Sequence, residues 1–415
     1  LLDVATDNIF IALLLRNLSQ SLTIEESGLR LAFLPTAGFP NGAIRQPERI
    51  RILDSDVCCI MAQVDSDYVV RIYRRMETGI NPEAEIGRYL TDVADFGNAP
   101  AFLGSVELIE ANGNSAIANV HTFVENQGDG WTVTSAYLDR FIDGHRVLVD
   151  RNDTADNEEE TPYLRYLAQA GRRVAELHSA LADSPDPPDF APEPISAAGV
   201  NGLVDALMTH ADGVFEALAT GRGSIRDSDL PSVDDLLAQR SILRERLYGA
   251  LPDSIDALSI RHHGDLHLGR MLIVKDDIFI TGFGGEPSRP LTELRSKAPA
   301  ARDVAALINS IDRSVVAAQE RALKGGPDEQ GRLAAALSLW REHSTAAFLS
   351  GYRDNLANRR LWPANRVAAD AMLSFFLLER AFSELDQELA HQPERLRVPL
   401  AAVNRILSEM TGGTS

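Results

Sequence analysis

The chain has 415 residues, 45% of them hydrophobic and 24% charged. That balance is ordinary for a globular protein, and the length exceeds one small core, so two lobes are expected. The formal charge of −20 disfavours nucleic acid and anionic membrane as partners, since both require clustered Lys and Arg.

Only two cysteines occur, Cys58 and Cys59. They are adjacent in the apolar run Val57 to Val64, where strand geometry sends neighbouring side chains to opposite faces. A disulfide framework is therefore not expected, which fits a reducing compartment. No apolar run approaches the roughly 20 residues that cross a bilayer, and no basic segment followed by an apolar one opens the chain. The expected location is cytoplasmic. The first residue is Leu1, so a processed form or one segment of a longer polypeptide is expected.

Residues 7 to 35 are helix-leaning and apolar on one side, and a Pro/Gly-rich break runs from Pro35 to Pro47. From there to about residue 124 the pattern is strand-like. Val57 to Val64 and Tyr68 to Tyr73 flank the polar turn Asp65-Ser66-Asp67, which predicts a hairpin. Asn81-Pro82-Glu83 supplies an N-cap, a proline at the first helical position and an acid in the first turn, predicting a helix over 82–94. Phe102 to Ile109 and Ala116 to Val124 then enclose Asn112-Gly113, the pair a tight hairpin turn prefers.

Beyond residues 125–130 the texture changes to amphipathic helices. Tyr163, Leu167, Ala170, Val174, Leu177 and Leu181 form a stripe at spacings of four and three. Val304, Leu307, Ile308 and Ile311 repeat it, as do Leu373, Leu377, Ala381 and Leu385. Asp150 to Thr161 and Lys324 to Gly331 are polar or Gly/Pro-bearing stretches expected to be solvated loops. A short hairpin is expected where Met271 to Val274 and Ile278 to Ile280 flank Lys275-Asp276-Asp277. The expected division is an N-terminal cap over 1–50, a β-rich lobe over 51–125 and a helical lobe over 126–415.

The nine residues His262-His263-Gly264-Asp265-Leu266-His267-Leu268-Gly269-Arg270 lie directly before that hairpin. A small β lobe with one helix, then a helical lobe carrying such a loop and a hairpin, is the organisation of an α+β, two-lobed, protein-kinase-like fold. Phosphoryl transfer from ATP needs a cation on the phosphates, an acid to hold it, a catalytic aspartate and groups that hold magnesium. Another reading of the same loop puts His263, Asp265 and His267 on one strand face as ligands for zinc or another transition metal.

Several ordered motifs carry a more specific resemblance. They include Arg71-Ile72-Tyr73-Arg74-Arg75, Asn81 to Arg88, Asn126-Gln127-Gly128-Asp129-Gly130-Trp131 and Gly171-Arg172-Arg173 with Glu176-Leu177-His178. Phe190 to Pro194, Gly285-Glu286-Pro287 and Arg302-Asp303-Val304-Ala305 complete the set. From about residue 50 to about 400 the chain resembles the maltokinases, ATP-dependent maltose 1-kinases often fused to trehalose synthase. The resemblance implies Asp265 as the catalytic base, with His263 completing its motif, and Asp303 as the buttress beneath the loop. It also implies Arg71 and Arg270 at nucleotide positions, and Glu85 as the helix partner of Arg71, with Glu83 as the second choice. Asp129, Trp131 and His267 would face the sugar. Trehalose synthase is the implied partner, maltose the implied acceptor, and ATP with magnesium the implied cofactors of an active member.

The departures from that family fall at the chemical positions. Its glutamine at the end of the loop is Arg270, which has no lone pair to offer a metal, and its metal-binding aspartate after the hairpin is Gly282. Its phosphate-contacting lysine is Arg71, a planar fork of different reach. The Ser/Asn/Thr-rich turn upstream is Asp54-Ser55-Asp56-Val57-Cys58-Cys59. Two tyrosines spaced by four on the C-terminal helix correspond to Ser383 and Gln387. The expected role is therefore that of a catalytically impaired relative serving trehalose or α-glucan metabolism through structure, assembly or regulation. An active maltokinase with altered ligands is the alternative.

Overall fold

In the computed structural model the described residues are 4–40, 44–55, 58–151, 161–184, 186–252, 255–286, 289–324, 331–392 and 395–412. The predicted loops over 150–161 and 324–331 lie mostly outside them, as do Asp56, Val57 and Pro287.

The N-terminal lobe is one antiparallel sheet with two helices. Helix α1 (Asn8–Ser19) is capped by Asp7, whose carboxylate accepts from the backbone of Ile9 and Phe10. The strands are β1 (Thr23–Glu26), β2 (Leu29–Pro35), β3 (Ile50–Ser55), β4 (Cys59–Val64), β5 (Tyr68–Tyr73), β6 (Phe102–Glu110) and β7 (Gly113–Thr122). Their order across the seven-stranded sheet is β1-β2-β6-β7-β5-β4-β3.

The helix-leaning reading of residues 7 to 35 therefore holds only to Ser19. Beyond it, Thr23–Glu26 and Leu29–Pro35 form a hairpin that pairs with β6. The reason is backbone pairing: β6 offers an open edge, and Ala32 and Phe33 bury themselves against it while Leu29 stays exposed. Ile50–Ser55 is a further strand, pairing with β4.

Helix α2 (Pro82–Asp92) starts where its capping residues place it, with the Asn81 side chain accepting from Ala84 N at 3.0 Å. It ends two residues before the expected boundary. The turn between β6 and β7 falls at Ala111-Asn112, with Gly113 at φ +140° already paired to Glu110.

The helical lobe contains α3 (Gly130–Arg151), α4 (Thr161–Leu181), β8 (Glu193–Pro194), α5 (Ala197–Thr220), α6 (Leu230–Ala238), α7 (Arg240–Ala250) and β9 (Leu258–Ile260). The hairpin β10 (Met271–Val274) and β11 (Asp277–Ile280) follows, then α8 (Leu291–Leu294), β12 (Ala298–Pro299), α9 (Ala301–Lys324), α10 (Arg332–Asp354), α11 (Arg366–His391) and α12 (Arg397–Gly412). Every residue of the α4 stripe is buried, as are Val304, Leu307, Ile308 and Ile311 of α9. Helices α4 and α10 cross at glycine. A Cβ on Gly171 would lie 2.1 Å from the Phe348 carbonyl, and one on Gly351 2.1 Å from the Ala168 carbonyl. No helix among the described residues is long and apolar enough to cross a membrane.

The two lobes are tied at several points around a cleft. Ile280 N donates to the Asn98 carbonyl at 2.8 Å, and Gln127 N to the Ile273 carbonyl at 2.8 Å. Tyr89 of α2 stacks on Phe190 with ring centroids 3.8 Å apart. Glu85 accepts from Arg261 at 2.8 Å and from Arg295 at 2.7 Å.

Candidate active site

The loop over 262–270 is held from below by Asp303, at the start of α9. Its carboxylate accepts from His263 N at 2.7 Å, Gly264 N at 3.0 Å and His178 Nε2 at 3.1 Å. His178 is fixed in turn by the Tyr352 hydroxyl at 2.9 Å. Burial acts to raise the Asp303 pKa, but the His178 hydrogen bond and the neighbouring His262 and His263 hold it well below the usual carboxylate range. Gly264 has φ +80°, a conformation that lets two successive N–H groups reach one carboxylate.

The segment 262–267 is irregular, not a strand, so His263, Asp265 and His267 do not share a strand face. His263 Nε2 instead faces the Thr281 carbonyl at 2.9 Å. Among the described residues no group of three or more His, Cys, Asp or Glu is arranged to hold a metal ion. The zinc reading loses its geometry there.

Asp265 is only slightly exposed, and Arg270 Nη2 donates to its Oδ2 at 3.0 Å. His267 Nε2 lies 3.7 Å from the same oxygen. Burial pushes the His267 pKa down to about 4, against the pull of Asp265 and with a contribution from Arg270. His263 is also lowered, mainly by burial. At neutral pH both imidazoles are uncharged.

The hairpin register sets Arg270 opposite Thr281, next to Gly282: Met271 pairs with Ile280, and Thr281 N donates to the Arg270 carbonyl at 2.9 Å. A Cβ built on Gly282 would lie 2.9 Å from Arg270 Cδ and Nη1. The arginine thus fills the space through which a side chain from position 282 would project.

Magnesium takes oxygen donors in a near-octahedral shell. Here position 270 presents a cation without a lone pair and position 282 presents no side chain. The residues present do not fit a resident magnesium ion.

On the opposite wall, Arg71 of β5 donates through Nη1 to Glu83 Oε2 at 2.8 Å. The Tyr73 hydroxyl donates to the same oxygen at 2.7 Å, and Asn119 Nδ2 donates to Tyr73. Glu83, not Glu85, is therefore the partner of Arg71. Two residues apart on a helix, these carboxylates diverge by about 200°, and the cap at Asn81 turns Glu83 toward the sheet. Glu85 faces Arg261 and Arg295 instead, which removes it from the nucleotide wall. Burial would raise the Glu83 pKa, but Arg71, His121 and the Tyr73 hydroxyl bring it down to about 2.

Asp265 opens into a cavity of about 460 Å³ lined by Asp129, Trp131, His267, Asn309, Arg313 and Glu384 among others. Asp129, Trp131 and His267 are thus brought together beside the carboxylate. Asn309, Arg313 and Glu384 were not singled out from the sequence. Glu384 accepts from Asn309 at 2.7 Å and Arg313 at 2.9 Å, so α9 and α11 close this wall jointly. The i,i+4 spacing of Asn309 and Arg313 on one face of α9 is the signal that was available for those two. Ser383 and Gln387, at 3.2 and 2.5 Å, donate to Glu286, whose other oxygen faces Arg289.

A β-sheet lobe and a helical lobe thus enclose a cleft with a carboxylate loop on its floor and an Arg–Glu pair on its wall. The fold is kinase-like. No protein-family model matches the chain. A glucosamine kinase of Mycolicibacterium smegmatis (strain ATCC 700084 / mc(2)155) is 26% identical over 298 residues, which is 71% of this chain and 64% of that protein. Another, of Streptacidiphilus jiangxiensis, is 24% identical over 318 residues, 76% of this chain and 63% of the relative. The chain therefore spans just under two thirds of these curated relatives.

Among solved structures, a glucosamine kinase in complex with glucosamine, ADP and inorganic phosphate is similar over 96% of this chain and 86% of that one. Its TM-score is 0.69 and its identity 20%. A choline kinase from Cryptosporidium parvum Iowa II covers 88% of this chain and 90% of its own, with TM-score 0.50 and 12% identity. These likenesses carry the fold, and the chain has glucosamine kinase homologues.

Proposed function

We propose that this chain binds a hexose-type sugar in the cavity beside Asp265 and that its phosphoryl transfer is impaired. The observation that carries the reading is the Arg270–Asp265 contact, with Gly282 offering no oxygen beside it. A catalytic aspartate acts by accepting the proton of the acceptor hydroxyl. Here the oxygen that would do so already accepts from a guanidinium at 3.0 Å, which occupies it against an incoming hydroxyl. Metal ions supply several kcal/mol of transition-state stabilisation, and each ~1.4 kcal/mol is tenfold in rate.

The sugar half of the reading rests on the cavity. Its volume is that of a small-ligand site, and it combines one aromatic plate, Trp131, with the polar groups of Asp129, His267, Asn309 and Glu384. The homologues direct attention to glucosamine as the first sugar, and the resemblance of the motifs to maltokinases makes maltose the second. The role left to an impaired member is structural or regulatory, in the enzymology of α-glucans or of amino sugars.

Calorimetric titration of glucosamine and of maltose tests the binding claim. Millimolar or tighter binding of one of them, weakened at least tenfold by Trp131→Ala, is expected from the loss of a desolvated aromatic platform. Binding of neither would refute it.

A further inference from the structure

Two arginines meet one short backbone segment on the cleft floor. Gly282 lies against Arg270, and two residues on, a Cβ on Gly284 would lie 3.9 Å from Arg71 Nη1 and 3.8 Å from Glu83 Oε2. Two residues of extended chain span at most about 7 Å. The guanidiniums therefore bracket a strip of backbone that bears no side chain at the positions facing them. A chain of two or three phosphates can reach from one to the other.

Neither arginine is used up by its carboxylate. A guanidinium has five N–H donors, and the contacts to Asp265 and to Glu83 take one nitrogen from each. Arg270 Nε is buried without a hydrogen-bond partner. His263 and His267 are neutral at pH 7, so they add no charge beside the strip. Planar guanidiniums bind phosphate oxygens through paired, charge-assisted hydrogen bonds.

The geometry points to a phosphate-chain site that takes a nucleoside di- or triphosphate without a divalent cation, Arg270 and Arg71 supplying the counter-charge. This rests on the reading that positions 270 and 282 have lost their metal ligands. It adds a sharper consequence: magnesium bound to the phosphates would bring a second cation and its hydration shell against Arg270, so the metal should not strengthen binding.

The test is calorimetric titration of ATP, ADP and inorganic tripolyphosphate, in EDTA and in excess magnesium chloride, on wild type, Arg270→Gln and Arg270→Lys. ATP and ADP should bind in EDTA at least as tightly as in magnesium. Arg270→Gln should weaken the EDTA affinity tenfold or more, and Arg270→Lys, which keeps the charge, should weaken it less. Tripolyphosphate binding in EDTA would assign the contact to the phosphate chain. ATP binding that requires magnesium, no ATP binding at all, or an Arg270→Gln protein that binds as wild type in EDTA would overturn the inference. A glucosamine titration on the same samples separates the two claims, since sugar binding can survive the loss of this one.

Discussion

The packing of Arg270 over Gly282 makes the two positions energetically coupled. Gly282→Asp alone must place a Cβ 2.9 Å from Arg270 Cδ at a backbone φ of +82°. Overpacking costs about 1–3 kcal/mol, and a left-handed conformation without glycine about 1–2 kcal/mol, so a destabilisation of about 2–5 kcal/mol is expected. In an Arg270→Gln background the shorter side chain relieves the overpacking and leaves only the backbone cost. The coupling energy between the two substitutions should therefore be about 1–3 kcal/mol. Urea unfolding of wild type, both single variants and the double variant measures it directly. Additivity within about 0.5 kcal/mol, the behaviour of independent sites, would refute the packing argument.

Acid should destabilise the fold through its buried histidines. Burial lowers the His262 pKa to about 3 and that of His267 to about 4, each from an ordinary 6.5. Between pH 6.5 and about 4 the unfolded chain binds protons that the folded chain refuses, so stability is full above 6.5 and falls as pH drops. Each such histidine contributes a slope of about 1.4 kcal/mol per pH unit, and His262→Asn should remove one share of it in urea unfolding between pH 5 and 6. A flat profile would contradict the buried, neutral assignment. Glu83 acts lower: its contribution is present above about 4.5 and is lost as pH falls toward 2. At the α4–α10 crossing, Gly351→Ala should cost about 3 kcal/mol or more, because the new methyl meets backbone. Gly202→Ala, on the exposed face of α5 with nothing within 4 Å, should stabilise by about 0.5–1 kcal/mol; equal effects at the two sites would refute the close approach.

The elements legible in the sequence are those whose signals are local. Asn81-Pro82-Glu83 starts α2, the stripe from Tyr163 to Leu181 is the buried face of α4, and the turns around Ser66 and Lys275 make hairpins. What was not legible depends on distant partners. The hairpin over 23–35 forms because β6 offers it an edge, and nothing in its own residues announces that edge. The choice between Glu83 and Glu85 depends on how α2 is rotated over the sheet, which the cap and the Tyr73 hydroxyl decide. The cation at 270 and the glycine at 282 could be read in the sequence, but not the return of Arg270 onto Asp265, which depends on how the irregular loop before β10 folds back. Asn309, Arg313 and Glu384 escaped because two helices about 75 residues apart in sequence build their wall of the cavity.

Sugar binding around Asp265 without rapid phosphoryl transfer, as proposed, can be tested most directly by phosphorus NMR and ADP release with ATP, magnesium chloride and glucosamine, and separately with maltose. Kinases turn over at about 1–100 per second. A rate at least three orders of magnitude lower, below about 0.1 per second, is predicted for this protein with either sugar. Sugar phosphate formed at a rate of one per second or faster would contradict the account.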